Sequence, residues 1–400
     1  MSFASGSPVV WPVPPDWRNP VREPLAWLTD VLQAPATGVT QHRSLRQAPR
    51  RTFTFDVVAA GQERRVADAL IADRGGRSDW ALPIWPDVQY LAEPLSSGAT
   101  TIPCDPAYRD FVGGGRALLW RSLRQWELVT LDEVGEDGLE LASATTQAWP
   151  AGTRLYPVRR ARLADGPEET LWTDLSGRRT LTFLVQEACD WPAQLPATEY
   201  LGHPVLEHVS DAGENGSLSY ARILTDEDND VGLPVTFDLA GRAFRAQSHR
   251  WRLWGAAERA AFRSLLYGLR GRQVPLWVPS GLQDLKATAS IGSSSTSLTV
   301  EWAGYTLYGR QQPNRRDVRI VLHDGTAFIR RITGSAESGA NEVLQLSSAL
   351  GQTVAPGAIR RIEFLTLCTL ASDEVVIEHH ADLAGAARAN TPFTAVVPDV

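Results

Sequence analysis

Two stretches of this chain, Arg51 to Pro86 and Arg250 to Pro279, carry the same features in the same order, so any fold has to accommodate both. Each has a short alternating apolar run (Phe53 and Phe55; Trp251 and Leu253) and then a helical segment. A Gly/Arg turn follows (Arg74-Gly75-Gly76-Arg77; Arg270-Gly271-Arg272), then a Pro-apolar-Trp run (Pro83-Ile84-Trp85; Pro275-Leu276-Trp277). A Ser/Thr-rich lead-in comes after each copy (Ser96 to Ile102; Ser293 to Val300). Each block closes on a basic-apolar strand (Val158 to Leu163; Ile359 to Phe364). An offset held near 200 residues from end to end is the mark of a duplicated unit rather than of scattered short motifs.

The duplication divides the 400 residues near position 200, and each half is long enough to bury a core. With 43% hydrophobic and 21% charged residues, broad disorder is not expected. No apolar run approaches the roughly 20 residues that cross a bilayer, and the N-terminal residues lack the basic region and apolar core of a secretion signal. A soluble chain made in the cytosol, with no membrane anchor, is expected. Cys104, Cys189 and Cys368 are far apart without CxxC spacing, which points to free thiols rather than disulfides or a zinc ribbon. The net charge of -7 opposes nonspecific attachment to nucleic acid.

Residues 1–24 form a Pro/Trp-rich N-terminal arm holding Pro8, Pro12, Pro14, Pro15, Pro20 and Pro24, with Trp11 and Trp17 between them. Proline density on this scale excludes a helix or a central strand, so the arm is expected to be extended and to dock by its tryptophans. Residues 25–200 and 201–400 are then two tandem similar domains. The fold class is mainly β (β-rich α+β), each domain a sheet with one packed helix and an inserted small β-barrel or sandwich. The helices are expected at about Gln62 to Asp73 and Ala256 to Leu269, the second packing through Ala257, Ala261, Leu265 and Leu269 with Phe262 and Leu266 alongside. The insertions, about 95–160 and 287–362, read as short strands with frequent turns. Closing strands at Arg179 to Glu187 and Asp373 to His380 return the chain to the parent sheets.

Candidate chemistry is thin. The run Asp226 to Gly232 resembles a calcium loop, but Phe237 stands where the bidentate Glu belongs, so a solvated turn is expected. The pairs His203 with His208 and His379 with His380 are poorly spaced for a metal, and read as surface histidines. Gly113-Gly114-Gly115 lacks the GK[ST] of a phosphate loop. No metal site, no cofactor and no acid/base or nucleophile set is expected, so the chain does not read as an enzyme. Arg159-Arg160 and Arg360-Arg361 recur between the copies and suggest a structural or interface role.

The opening segment resembles the N-termini of structural proteins from the tail modules of long-tailed phages and prophages. The features that carry it are Trp17, Trp27-Leu28-Thr29-Asp30-Val31, Gly38, Gln41-His42-Arg43, Arg46 and Pro49-Arg50-Arg51, over about fifty residues of the chain. The resemblance implies a tail-tip or baseplate component, like distal tail or hub proteins, that joins the tail tube to the receptor-binding apparatus. It implies as partners other copies of itself, in a homo-trimer or homo-hexamer ring, with tail tube, tape-measure and hub or receptor-binding proteins. The virion tail, assembled in the host cytoplasm, is the implied location, with DNA entering only as passage through a lumen. Arg and Trp favour interfaces, so Trp11, Trp17, Trp27, Arg50, Arg51, Trp85, Arg250 and Trp277 are the expected interface residues. The competing reading is a carbohydrate-binding module, with Trp120, Trp126, Trp149 and Trp302 on the insertions stacking on host glycans.

Overall fold

The computed structural model describes residues 8–77, 79–164, 166–213 and 216–397, so the first seven residues of the expected arm lie outside the described residues. The fold is mainly β, with large antiparallel sheets and the helices α1 (Gln62–Asp73) and α2 (Gly255–Leu269). Each helix follows a long strand: Arg50–Ala60 leads into α1 and Val235–Leu253 into α2. Helix α2 stops where Arg270 takes φ 53 and Gly271 φ 67. A Cβ at Gly271 would sit 2.8 Å from that of Trp27, so the turn tolerates no side chain there.

The pairing order is the same in both halves. In the first, Arg50–Ala60 pairs with Ser176–Val185, which pairs with Arg154–Leu163, which pairs with Trp80–Pro83. In the second, Val235–Leu253 pairs with Ala387–Ala395, then Ile359–Leu370, then Leu276–Pro279. All these ladders are antiparallel. A short parallel contact completes each half, Val9–Val10 on Trp80–Ala81 and Val205 on Trp277.

The insertions repeat as well. Gln125–Val134 pairs with Arg116–Ser122 along its first part and with Gly138–Leu141 along its second. Ala327–Ser338 divides itself in the same way between Asp317–Leu322 and Asn341–Leu346. A strand that changes partner partway turns a corner, and the bent sheet encloses a small core of its own. Ile102, Leu119, Leu139 and Trp149 fill one, and Leu298, Val318, Ile320 and Leu344 the other.

One strand joins the halves. Val21–Ala26 pairs on one edge with Arg50–Ala60 and on the other with Glu374–His379 of the second half, giving one continuous sheet. Val21 enters the first core beside Phe53 and Phe183, whereas Leu25 and Trp27 enter the second beside Phe262 and Leu266. Burying an aliphatic or aromatic side chain contributes roughly 1.5–3 kcal/mol, so the strand is anchored on both sides. Asp373 adds to this by accepting from the Thr29 N–H at 2.8 Å and the Thr29 hydroxyl at 2.7 Å.

Several expectations need correction. The arm contains a central strand despite Pro24. Its ladder to Arg50–Ala60 pairs Arg22, Leu25 and Ala26 and skips Glu23 and Pro24, where proline has no N–H to give. The second closing strand is Ala387–Ala395, and Glu374–His379 instead lies between it and the joining strand. Ala257 and Ala261 of α2 are exposed while Arg259 and Arg263 are buried, so the packed face is rotated from the expected stripe. Arg159 faces Leu82, whereas the residue facing Val278 at the matching ladder position is Thr366, so Arg159-Arg160 and Arg360-Arg361 are not equivalent. By the same ladders Trp277 matches Ala81, and Trp85 lies beyond the strand in a 3-10 turn.

Candidate functional site

The densest chemistry lies inside the junction. Glu23, on the joining strand and 0% exposed, accepts from Arg51 Nε at 2.5 Å and from Arg263 of α2 at 3.0 and 3.1 Å. His379 Nε2 stands 2.7 Å from the same carboxylate. Arg51 also bonds Asp110, which Arg159 holds at 2.5 and 3.2 Å. Arg259 donates to Asp87 at 3.1 Å, and Asp87 accepts the Asp110 N–H at 3.1 Å. Arg159 reaches Glu187 at 3.4 Å. The acids Glu23, Asp87, Asp110 and Glu187 therefore balance the four arginines Arg51, Arg159, Arg259 and Arg263.

The protonation states follow from the geometry. Burial alone would raise Glu23, but Arg263, Arg51 and the His379 bond overcome it and hold the carboxyl well below its ordinary range. Burial opposes ionisation of Asp110 too, yet Arg51 and Arg159 hold it down at about 2. Arg259 approaches His379 Nδ1 at 3.4 Å, and a guanidinium only donates. Nδ1 is thus the acceptor and Nε2–H donates to Glu23, a neutral ring. Burial lowers the His379 pKa in agreement with this. The network mutually neutralises charge that α2, the joining strand and the first insertion bring out of water together.

The expected interface residues separate into two groups. Trp11, Trp27, Trp85 and Trp277 are 0–2% exposed and offer no surface to another chain. The Nε1–H of Trp11 donates to Val13 O at 2.8 Å, and that of Trp277 to Tyr200 O at 2.8 Å. Trp27 packs edge-on to Tyr267 and Trp85 edge-on to Tyr156. The first core encloses Trp11 and Trp85, the second Trp27, and a smaller cluster of Val205, Leu365 and Leu367 encloses Trp277, so the described part of the arm docks on its own chain. Trp17 is partly buried against the first core, and Arg51 belongs to the ion network. Arg50 is exposed. Arg250 lines a surface cavity of about 480 Å³ with Arg22, Arg252, Arg388, Glu374 and Glu378.

A second cavity, of about 390 Å³, lies between the Val235–Leu253 strand and the second insertion. Arg245, Gln247, His249, Arg319 and Arg361 line it. Arg319 and Arg361 pair with buried Glu363 at 2.6 and 3.1 Å. His208 Nδ1 lies 3.0 Å from His249 Nε2, and burial followed by the neighbouring His208 pushes His249 down to about 3.

One of the expected surface histidines is buried, His379 at 1% exposed in the network, while His203 and His208 are half-buried and His208 stacks on Trp251 at 4.1 Å. His380 is exposed, and the Asp226 to Gly232 run is an exposed hairpin turn. Cys104, Cys189 and Cys368 are free thiols, the last two buried. No group of three or more His, Cys, Asp or Glu among the described residues is arranged to hold a metal, and no described helix is long and apolar enough to cross a membrane. Sequence reasoning missed Glu23, Asp87, Asp110, Arg259 and Arg263. Arginines at 259 and 263, one turn apart, were the available signal, because they share a helix face with Phe262 and Leu266. Compared with protein-family models and with curated proteins, the chain matches none.

Proposed function

We propose that this protein is a structural component of a phage tail tip or baseplate, a homo-oligomeric ring that joins the tail tube to the hub and receptor-binding apparatus. The observation that carries the reading is the identical pairing order of the two halves, fused through one shared strand. A ring of three such chains presents six similar units, which suits a six-fold tube above a three-fold hub. A ring of six presents twelve. The opening segment's resemblance to tail-module proteins supplies the biological setting, and tube, tape-measure and hub or receptor-binding proteins are the partners it suggests. The buried ion network supports a rigid building block, since a sheet and helix locked by it hold the halves at one angle. Symmetry-resolved imaging of assembled tail tips tests this: density for the two halves alternating around one ring supports it, and a tip without this chain overturns it.

A second reading, attachment to host glycans, keeps two of its four tryptophans. Trp126 and Trp302 are 37% and 48% exposed, one on each insertion, while Trp149 is 1% exposed and Trp120 is covered by Arg154. Glycan-array binding by the intact protein, lost in W126A and W302A variants, would favour it over the ring.

A further inference from the structure

The joining contact is made once inside the chain, and both of its sides recur unpaired at the other ends of the two halves. The first side is the joining strand. Arg22 faces Thr54, six residues before Ala60, and Ala60 lies two residues before α1. Leu218 of the strand Leu218–Glu227 faces Gln247, six residues before Leu253, and Leu253 lies two residues before α2. Arg22 and Leu218 hold equivalent places. The second side is Glu374–His379, where Glu378 faces Arg388. In the first half Leu171 of Glu169–Leu171 faces Gly177. Gly177 and Arg388 each follow the residue that pairs with the strand end, Ser176 with Ala60 and Ala387 with Leu253. Leu171 and Glu378 are equivalent in turn.

Inside the chain these two sides meet, with Arg22 opposite Glu378. Among the described residues, Leu218–Glu227 pairs only with Val235–Leu253, and Glu169–Leu171 only with Ser176–Val185, leaving one edge of each open. An open edge is a template for another strand. The side chains support use of these edges. Where the internal contact has the exposed ion pair Arg22 with Glu378 at 3.1 Å, the open edges carry Leu218 and Leu171, 41% and 58% exposed. Tyr220 and Trp172 beside them are 49% and 53% exposed.

We propose that Leu218–Glu227 of one copy pairs antiparallel with Glu169–Leu171 of the next, repeating between chains the contact that joins the halves within one. The register is Leu218 opposite Leu171, Ser219 opposite Thr170 and Tyr220 opposite Glu169. Such a contact is heterologous, head to tail, and closes into a ring or extends as a filament according to its rotation. The ion network stays unique to the internal contact. Glu23 becomes Ser219, His379 becomes Trp172 and Arg51 becomes Phe244 at the equivalent places, so the second contact lacks the buried charges of the first.

This inference rests on the ring reading and is tested apart from it by two readouts on the intact chain. Mass in solution reports assembly, and engineered thiols report the edge. Mixing S219C with T170C chains under mild oxidation should give disulfide-linked pairs of unlike chains, and the double variant a ladder of covalent multimers. S219C mixed with L171C should not cross-link, because one residue out of register puts the thiols on opposite faces. L218K should abolish assembly with no change in melting temperature. Oligomers by mass without the S219C–T170C link, or S219C linking to itself, overturn the edge pairing and leave the ring standing. A linked species that grows without closing supports the edge and overturns the ring. A monomer at every concentration overturns both.

Discussion

Replacing Glu23 with Gln is the sharpest perturbation of the junction. The side chain keeps its shape, but four buried arginines then face three carboxylates. The new amide N–H₂ also meets donors, since Arg51, Arg263 and His379 all donate to this position. Breaking a fully buried pair from one side costs about 3–5 kcal/mol, because the remaining charge is left uncompensated. Spread over a half of this size, that lowers the melting temperature by roughly 6–20 °C. The control is R22Q, which removes the exposed Arg22–Glu378 pair one residue away on the same strand, and should cost about 0–1 kcal/mol. Urea unfolding of the intact chain gives both values. Limited proteolysis adds location, as E23Q should admit cleavage between the joining strand and residue 50 before either core opens. A loss below about 1 kcal/mol for E23Q would refute the reasoning, since it would mean that the carboxylate is solvated or that its partners relax without cost.

Three further outcomes follow from the same structure. W277A removes a 1%-exposed indole and its bond to Tyr200 O, and should cost about 3–5 kcal/mol in urea while leaving the mass of the folded protein in solution as it is in the unsubstituted chain. Stability should fall as pH drops from about 6.5, because unfolded His249 and His379 take up protons that the folded chain, with both pKa values lowered, refuses. Each contributes up to about 1.4 kcal/mol per pH unit, and the depressed carboxyls of Glu23 and Asp110 add a further loss once pH falls below about 4. Unfolding midpoints at pH 7 and pH 5 check this, and equal values would contradict the neutral histidines. V231S with L233S, at 91% and 92% exposed positions of the hairpin tip, should alter stability by no more than about 0.5 kcal/mol, as melting curves would record.

The sequence made the β-rich frame and its repetition legible because those depend on local pattern. Helix α1 lies at the expected Gln62–Asp73 and α2 begins one residue earlier than expected, at Gly255. Matching by motif failed where strands define equivalence: Trp85 and Trp277 both follow a proline and an apolar residue, yet their ladders place them differently. Pro24 misled for a related reason, since a ladder can skip a proline on one edge and keep the other, as its pairing with Val376 illustrates. The ion network was hidden by distance along the chain. Glu23 binds partners 28, 240 and 356 residues away, and no local spacing joins them. Arginine is ordinarily assigned to a solvated helix face, and the acids that reverse this for Arg259 and Arg263 come from other elements.

Assembly through repeated contacts is tested most directly by the mass of the purified intact protein in solution. Sedimentation across a range of concentrations should show one closed species of three or six chains with no larger series. A single-chain mass at every concentration would contradict it.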